Sequence, residues 1–79
     1  MPTIVRLSRC RIEMYFDDHG LPHFHVIAGD DRASVLIESM TVIAGRVPSK
    51  ALSEAITWAE EHRGLLNDAW KELNERSAP

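Results

Sequence analysis

The apolar residues of this chain change their spacing once, close to Gly45, and that change sets which elements form and in what order. Before it they alternate with polar residues; after it they recur every three or four positions. Alternation suits a strand with one buried face, because successive side chains leave a sheet on opposite sides. Recurrence at three and four suits a helix with one apolar stripe. Arg11, Glu13 and Tyr15 alternate with Ile12, Met14 and Phe16, and Phe24, Val26 and Ala28 alternate with His23, His25 and Ile27. The intervening Asp17-Asp18-His19-Gly20-Leu21-Pro22 gathers turn formers, so the two segments predict a hairpin. Gly29-Asp30-Asp31 predicts the next turn, Arg32 to Glu38 a third strand, and Thr41 to Ala44 a short fourth strand closed by Gly45.

Pro48 and Ser49 suit a helix start, without deciding which of them marks the boundary. Leu52, Ala55, Ile56 and Ala59 then form one stripe, with Trp58 at its edge. Leu65, Leu66, Ala69, Trp70 and Leu73 form another. Gly64 lies between the stripes, and glycine inside a helix costs roughly 1 kcal/mol against alanine, so the spacing predicts a break there. One half-apolar sheet and two amphipathic helices bury one another. The expected fold is a single α+β domain over residues 1–79: a four-stranded, mainly antiparallel sheet with two C-terminal helices packed on one face, in the order ββββαα. The other sheet face is left for function or association.

A chain of 79 residues makes a marginal core, so either a few elements build it efficiently or a partner or second copy of the chain completes part of the apolar surface. Nine basic against twelve acidic residues give a net charge of −3, which argues against wholesale capture of a nucleic-acid backbone. Arg6, Arg9 and Arg11 are nonetheless clustered, and three arginines suit a solvated face, an acidic partner or a few phosphates alike. The single cysteine, Cys10, excludes an internal disulfide framework and reads as a small apolar side chain. No apolar run approaches the ~20 residues of a membrane span, and the first residues lack the apolar stretch of a signal peptide. The expectation is a cytoplasmic protein without membrane contact and without a cofactor.

The densest chemistry is in the predicted hairpin, where Asp17, Asp18, His19, His23 and His25 fall within nine residues. His23 and His25 are two apart on a strand and leave the same face. Arg11, Glu13 and Tyr15 occupy the polar phase of the neighbouring strand. Three readings follow. A His-x-His pair is a source of two nitrogen ligands, with His19 or a loop aspartate completing a metal set. A histidine oriented by Asp17 or Asp18 suits general acid–base chemistry, as in a ribonuclease. The reading favoured here is structural: Arg11, Glu13, Tyr15, Asp17, Asp18, His19, His23 and His25 form a recognition surface for a protein partner. His62, at the end of the first helix, reads as a cap.

Met1-Pro2-Thr3-Ile4, the Tyr15-Phe16-Asp17-Asp18-His19 segment with Pro22-His23-Phe24-His25-Val26, and Trp58-Ala59-Glu60-Glu61-His62-Arg63 with Trp70 resemble the bacterial DUF4160 family. The resemblance covers nearly the whole chain, and Pro-His-Phe-His is its most specific part. Gly64 departs from the charged residue usual in relatives. The resemblance implies no established activity. It implies a small bacterial protein often encoded beside a DUF2442-type protein, an arrangement that looks like a toxin–antitoxin module. The expected partner is therefore that neighbouring product.

Overall fold

The alternating half of the chain folds back on itself four times, and the helical half closes over one side of the result. The computed structural model describes residues 3–15 and 20–74. Its elements are β1 (Thr3–Arg6), β2 (Arg11–Glu13), β3 (His23–Ala28), β4 (Asp31–Leu36), β5 (Val42–Arg46), α1 (Ser49–Glu61) and α2 (Arg63–Asn74). The strands lie in the order β1-β2-β3-β4-β5, each antiparallel to the next. This is the α+β class read from the spacing, with one strand more. Thr3–Arg6 joins the edge beside β2. Four residues are too few for alternation to be told from chance, and only the pairing with Arg11–Glu13 makes them a strand.

Boundaries shift for similar reasons. Ile37 is 1% exposed but lies beyond the end of β4, because the chain turns through Met40 at a φ of 58°. Gly45, expected to close the last strand, lies inside β5. Its φ is +73°, and a Cβ there would stand 2.3 Å from the Arg32 carbonyl oxygen. Only glycine lets the two backbones approach this closely. Phe16 falls outside the described residues.

Ile12, Phe24, Val26 and Val35 are fully buried on one side of the sheet, in a cluster with Ala51, Ala55 and Ala59 of α1 and Leu66 and Trp70 of α2. Each large side chain so buried contributes about 1.5–3 kcal/mol relative to exposure. The most buried line of α1 is Ala51-Ala55-Ala59, with Leu52 and Ile56 partly buried beside it. Alanines at i, i+4 and i+8 carry so little side chain that the helix axis can lie close to the sheet. The break falls where glycine suggested: His62 is the C-cap of α1, and Gly64 lies in the first turn of α2. The His62 backbone N–H donates to the Ala59 carbonyl at 3.1 Å, and its Nδ1 lies 2.7 Å from the Trp58 carbonyl oxygen. The capping role expected of His62 is what the structure shows.

Two tethers fix the helices to the sheet. The Glu54 carboxylate of α1 accepts from the Ser8 N–H at 3.2 Å, the Arg9 N–H at 2.8 Å and the Ser8 hydroxyl. Those hydrogen bonds, the Ser8 hydroxyl first, hold the Glu54 carboxyl below its ordinary range. At the other end, Arg63 Nη1 donates to the Ile37 carbonyl at 3.0 Å and the Glu38 carbonyl at 2.6 Å. It thereby pins the start of α2 to the exit of β4.

Candidate binding surface on the outer sheet face

Residues paired across antiparallel strands share a face, so the strand register lays out the side of the sheet turned away from α1. Arg6 pairs with Arg11, Arg11 with Ile27, Ile27 with Arg32, and Arg32 with Arg46. Four arginines thus stand in one row across all five strands, a span of about 19 Å at the usual strand spacing. Arg6, Arg32 and Arg46 are exposed and Arg11 is half-buried, while Ile27 between them is 3% exposed. The next row, about 7 Å along the strands, holds Glu13, His25, Ser34 and Ala44.

These rows are joined by a polar web. Arg11 Nε donates to Glu13 Oε2 at 2.6 Å, and the Tyr15 hydroxyl donates to Glu13 Oε1 at 2.8 Å. The Tyr15 ring lies over His25 with centroids 4.4 Å apart, and His25 Nδ1 is 3.2 Å from the Ser34 hydroxyl. Glu13 is 3% exposed, and a carboxylate so covered is held ionised by its partners. The hydrogen bond from Arg11 is the main cause of its lowered pKa, with burial opposing it and Tyr15 adding to it. Tyr15 moves the other way: burial first, then its bond to Glu13, raises the phenol. A shallow groove of about 300 Å³ opens beside the web, lined by His25, Arg32, Ser34, Ala44 and the backbone around Ala33 and Gly45.

Of the residues read from the sequence as a surface, Arg11, Glu13, Tyr15, His23 and His25 are brought together; Asp17, Asp18 and His19 lie outside the described residues. One expectation needs correction. His23 does not look outward into solvent: it is 8% exposed, with its ring 5.1 Å from that of Trp70. Its Nδ1 lies 2.8 Å from the Leu21 carbonyl oxygen. Alternation assigned it a side of the sheet correctly, but not the indole from α2 that covers it. Glu13 too is a buried support for the surface. The chain of rings Tyr15–His25–His23–Trp70 connects the outer face to the helical layer. Among the described residues, no three His, Cys, Asp or Glu side chains gather as a metal site.

Arg32, Ser34 and Arg46 were not singled out by sequence reasoning. Arg32 and Ser34 do occupy the polar phase of their strand, which was the available signal. Arg46 lay beyond a strand thought to close at Gly45. Arg9, grouped by sequence with Arg6 and Arg11, instead lies in the β1–β2 turn, beside the start of α1.

A family model for a domain of unknown function, DUF4160, matches residues 10–71. The chain belongs to the DUF4160 family. That match runs from Cys10 through Lys71 and so takes in β2 to β5 and most of both helices. No curated protein and no solved structure matches the chain. No helix among the described residues of this DUF4160 domain is long and apolar enough to cross a membrane.

Proposed function

We propose that this DUF4160 domain is a small interaction protein, one component of a toxin–antitoxin-like two-gene module, which docks a cognate acidic partner protein on its outer sheet face. The observation that carries the reading is the row Arg6, Arg11, Arg32 and Arg46, drawn onto one face of a chain whose net charge is −3. Among the described residues, five acids lie on the helices: Glu54, Glu60 and Glu61 on α1, Asp68 and Glu72 on α2. Such segregation steers an acidic surface to one side of the molecule and sets its orientation. The partner is the DUF2442-type product of a neighbouring gene. Co-expression of the two chains, followed by size-exclusion chromatography, yields a complex, and reversing Arg32 and Arg46 to Glu abolishes it. A complex indifferent to that reversal overturns the choice of surface, and a chain that ignores the neighbouring product overturns the pairing.

A second reading, histidine-dependent RNA cleavage, is favoured by one observation. His25 stands between Tyr15 and Ser34 beside a cationic row, where an imidazole can exchange protons with a bound phosphodiester. Incubation with RNA in the presence of chelator tests it. Cleavage that persists in the H25A variant removes this histidine from the chemistry.

A further inference from the structure

We infer that the outer sheet face is built to hold a single strand of RNA, its phosphates along the arginine row and its bases against the Tyr15–His25 rings. The inference rests on the reading that this face is the working surface, and it names what the face holds when no protein partner covers it.

Three features point to this occupant. The first is linear: Arg6, Arg11, Arg32 and Arg46 stand in one register row, as the repeating charge of a backbone requires. The second is the state of the acids. Glu13 is the one carboxylate in the two rows, and both its oxygens are engaged, by Arg11 and by Tyr15. Arg11 is largely spent neutralising it, which leaves Arg6, Arg32 and Arg46 as exposed cations. Asp31 precedes Arg32 by one residue and so alternates to the opposite face; Asp30 lies in the turn beyond the row. The third is the placement of rings. Tyr15 and His25 are half-buried, 4.4 Å apart, and begin about 7 Å along the strands from the cations. Bases splayed from a strand lying on the row reach that distance, and aromatic platforms on an open sheet face are a recurrent way of receiving them. The groove lined by His25, Arg32 and Ser34 lies between the cation row and the rings. Duplex RNA offers no free base faces to the rings.

The test is fluorescence anisotropy of a labelled oligouridylate titrated with the full chain. With three exposed arginines each engaging a phosphate, binding weakens roughly 20-fold between about 50 mM and about 200 mM salt. In an R32Q/R46Q variant one such cation remains, so affinity falls and the salt effect shrinks to roughly 3-fold. K50Q/K71Q removes the same charge from the helices and leaves binding at the level of the parent chain. A Y15L variant weakens binding with the salt slope unchanged. Absence of binding, salt-insensitive binding, or equal loss in the helical control overturns the inference. So does equal affinity for duplex RNA or for the deoxy oligomer. Thermal melts of each variant separate lost folding from lost binding. Failure with RNA alongside an intact protein complex sinks this inference alone, and the reverse result sinks only the docking of a protein.

Discussion

Arg32 on β4 stands directly opposite Arg46 on β5, two like charges paired in register on an edge of the sheet. Like charges so placed destabilise a sheet by about 0.2–1 kcal/mol, while Arg32 also helps to hold the buried Glu13 carboxylate ionised. A cost of this kind is expected where a surface is shaped for a ligand and not for stability. Replacing Arg46 by Gln therefore raises the unfolding free energy by up to about 1 kcal/mol. The gain is largest near 0.01 M salt and vanishes near 1 M, where the screening length falls from about 30 Å to about 3 Å. Urea titrations at the two salt levels measure it; a loss of stability in the variant would show that the pairing is a structural asset.

The web around Glu13 sets a pH window. Glu13 has its pKa lowered in the folded chain, so its contribution is complete above the ordinary carboxylate range and is lost as pH falls through the lowered value. Tyr15 has its pKa raised, so its contribution is complete below the ordinary phenol range, near 10, and is lost as pH rises through the higher value. Between the two limits neither of these groups makes stability depend on pH. Glu13→Gln lowers it by about 1.5–3 kcal/mol at neutral pH, the usual worth of hydrogen bonds to a charged group, and flattens the acid limb. Tyr15→Phe reduces the alkaline limb, which Cys10 shares, and trims the acid limb by removing one of the bonds to Glu13. Melting temperature against pH for the three chains is the measurement, and an unchanged acid limb in the Glu13 variant would falsify the assignment.

Two glycines make opposite predictions. Alanine at Gly45 must adopt a φ of +73° and place its Cβ 2.3 Å from a backbone oxygen, which costs at least about 1–2 kcal/mol. Alanine at Gly64 meets nothing within 4 Å in the first turn of α2 and stabilises by up to about 1 kcal/mol. Denaturation midpoints of the two variants should move in opposite directions from the parent. A shared direction would mean that one of the two backbones is wrongly placed.

Cys10 is 8% exposed, its Sγ 3.6 Å from the Ala51 carbonyl oxygen and 3.7 Å from Glu54 Oε1. Burial, then the Glu54 charge, pushes its pKa up to about 11. At pH 8 only about one thiol in a thousand is then ionised, against roughly a quarter for a free cysteine. A disulfide reagent such as DTNB labels the native chain slowly and the urea-unfolded chain at once. Prompt labelling without denaturant would place the thiol outside the core.

The division of the chain into an alternating half and a helical half was legible from spacing alone, because period two and period three to four bury different faces. Phe24 and Val26 inside, with His25 opposite, followed from the same rule, whereas the break near Gly64 was read from the glycine and the cap at His62 from its place at a helix end. Register was not legible. A strand's own residues do not say which neighbour stands beside them, so Arg6, Arg11, Arg32 and Arg46 became one row only when five strands were paired. His23 was assigned to the correct side of the sheet and still misjudged, since Trp70, forty-seven positions later, is what covers it. Glu54 is a similar case: a carboxylate on a helix face gives no sign that it will accept the amides of Ser8 and Arg9. Local periodicity is written into neighbouring residues and can be read from them. Charge rows, covered rings and tethers join residues distant in the chain, and only the folded arrangement decides which of them meet.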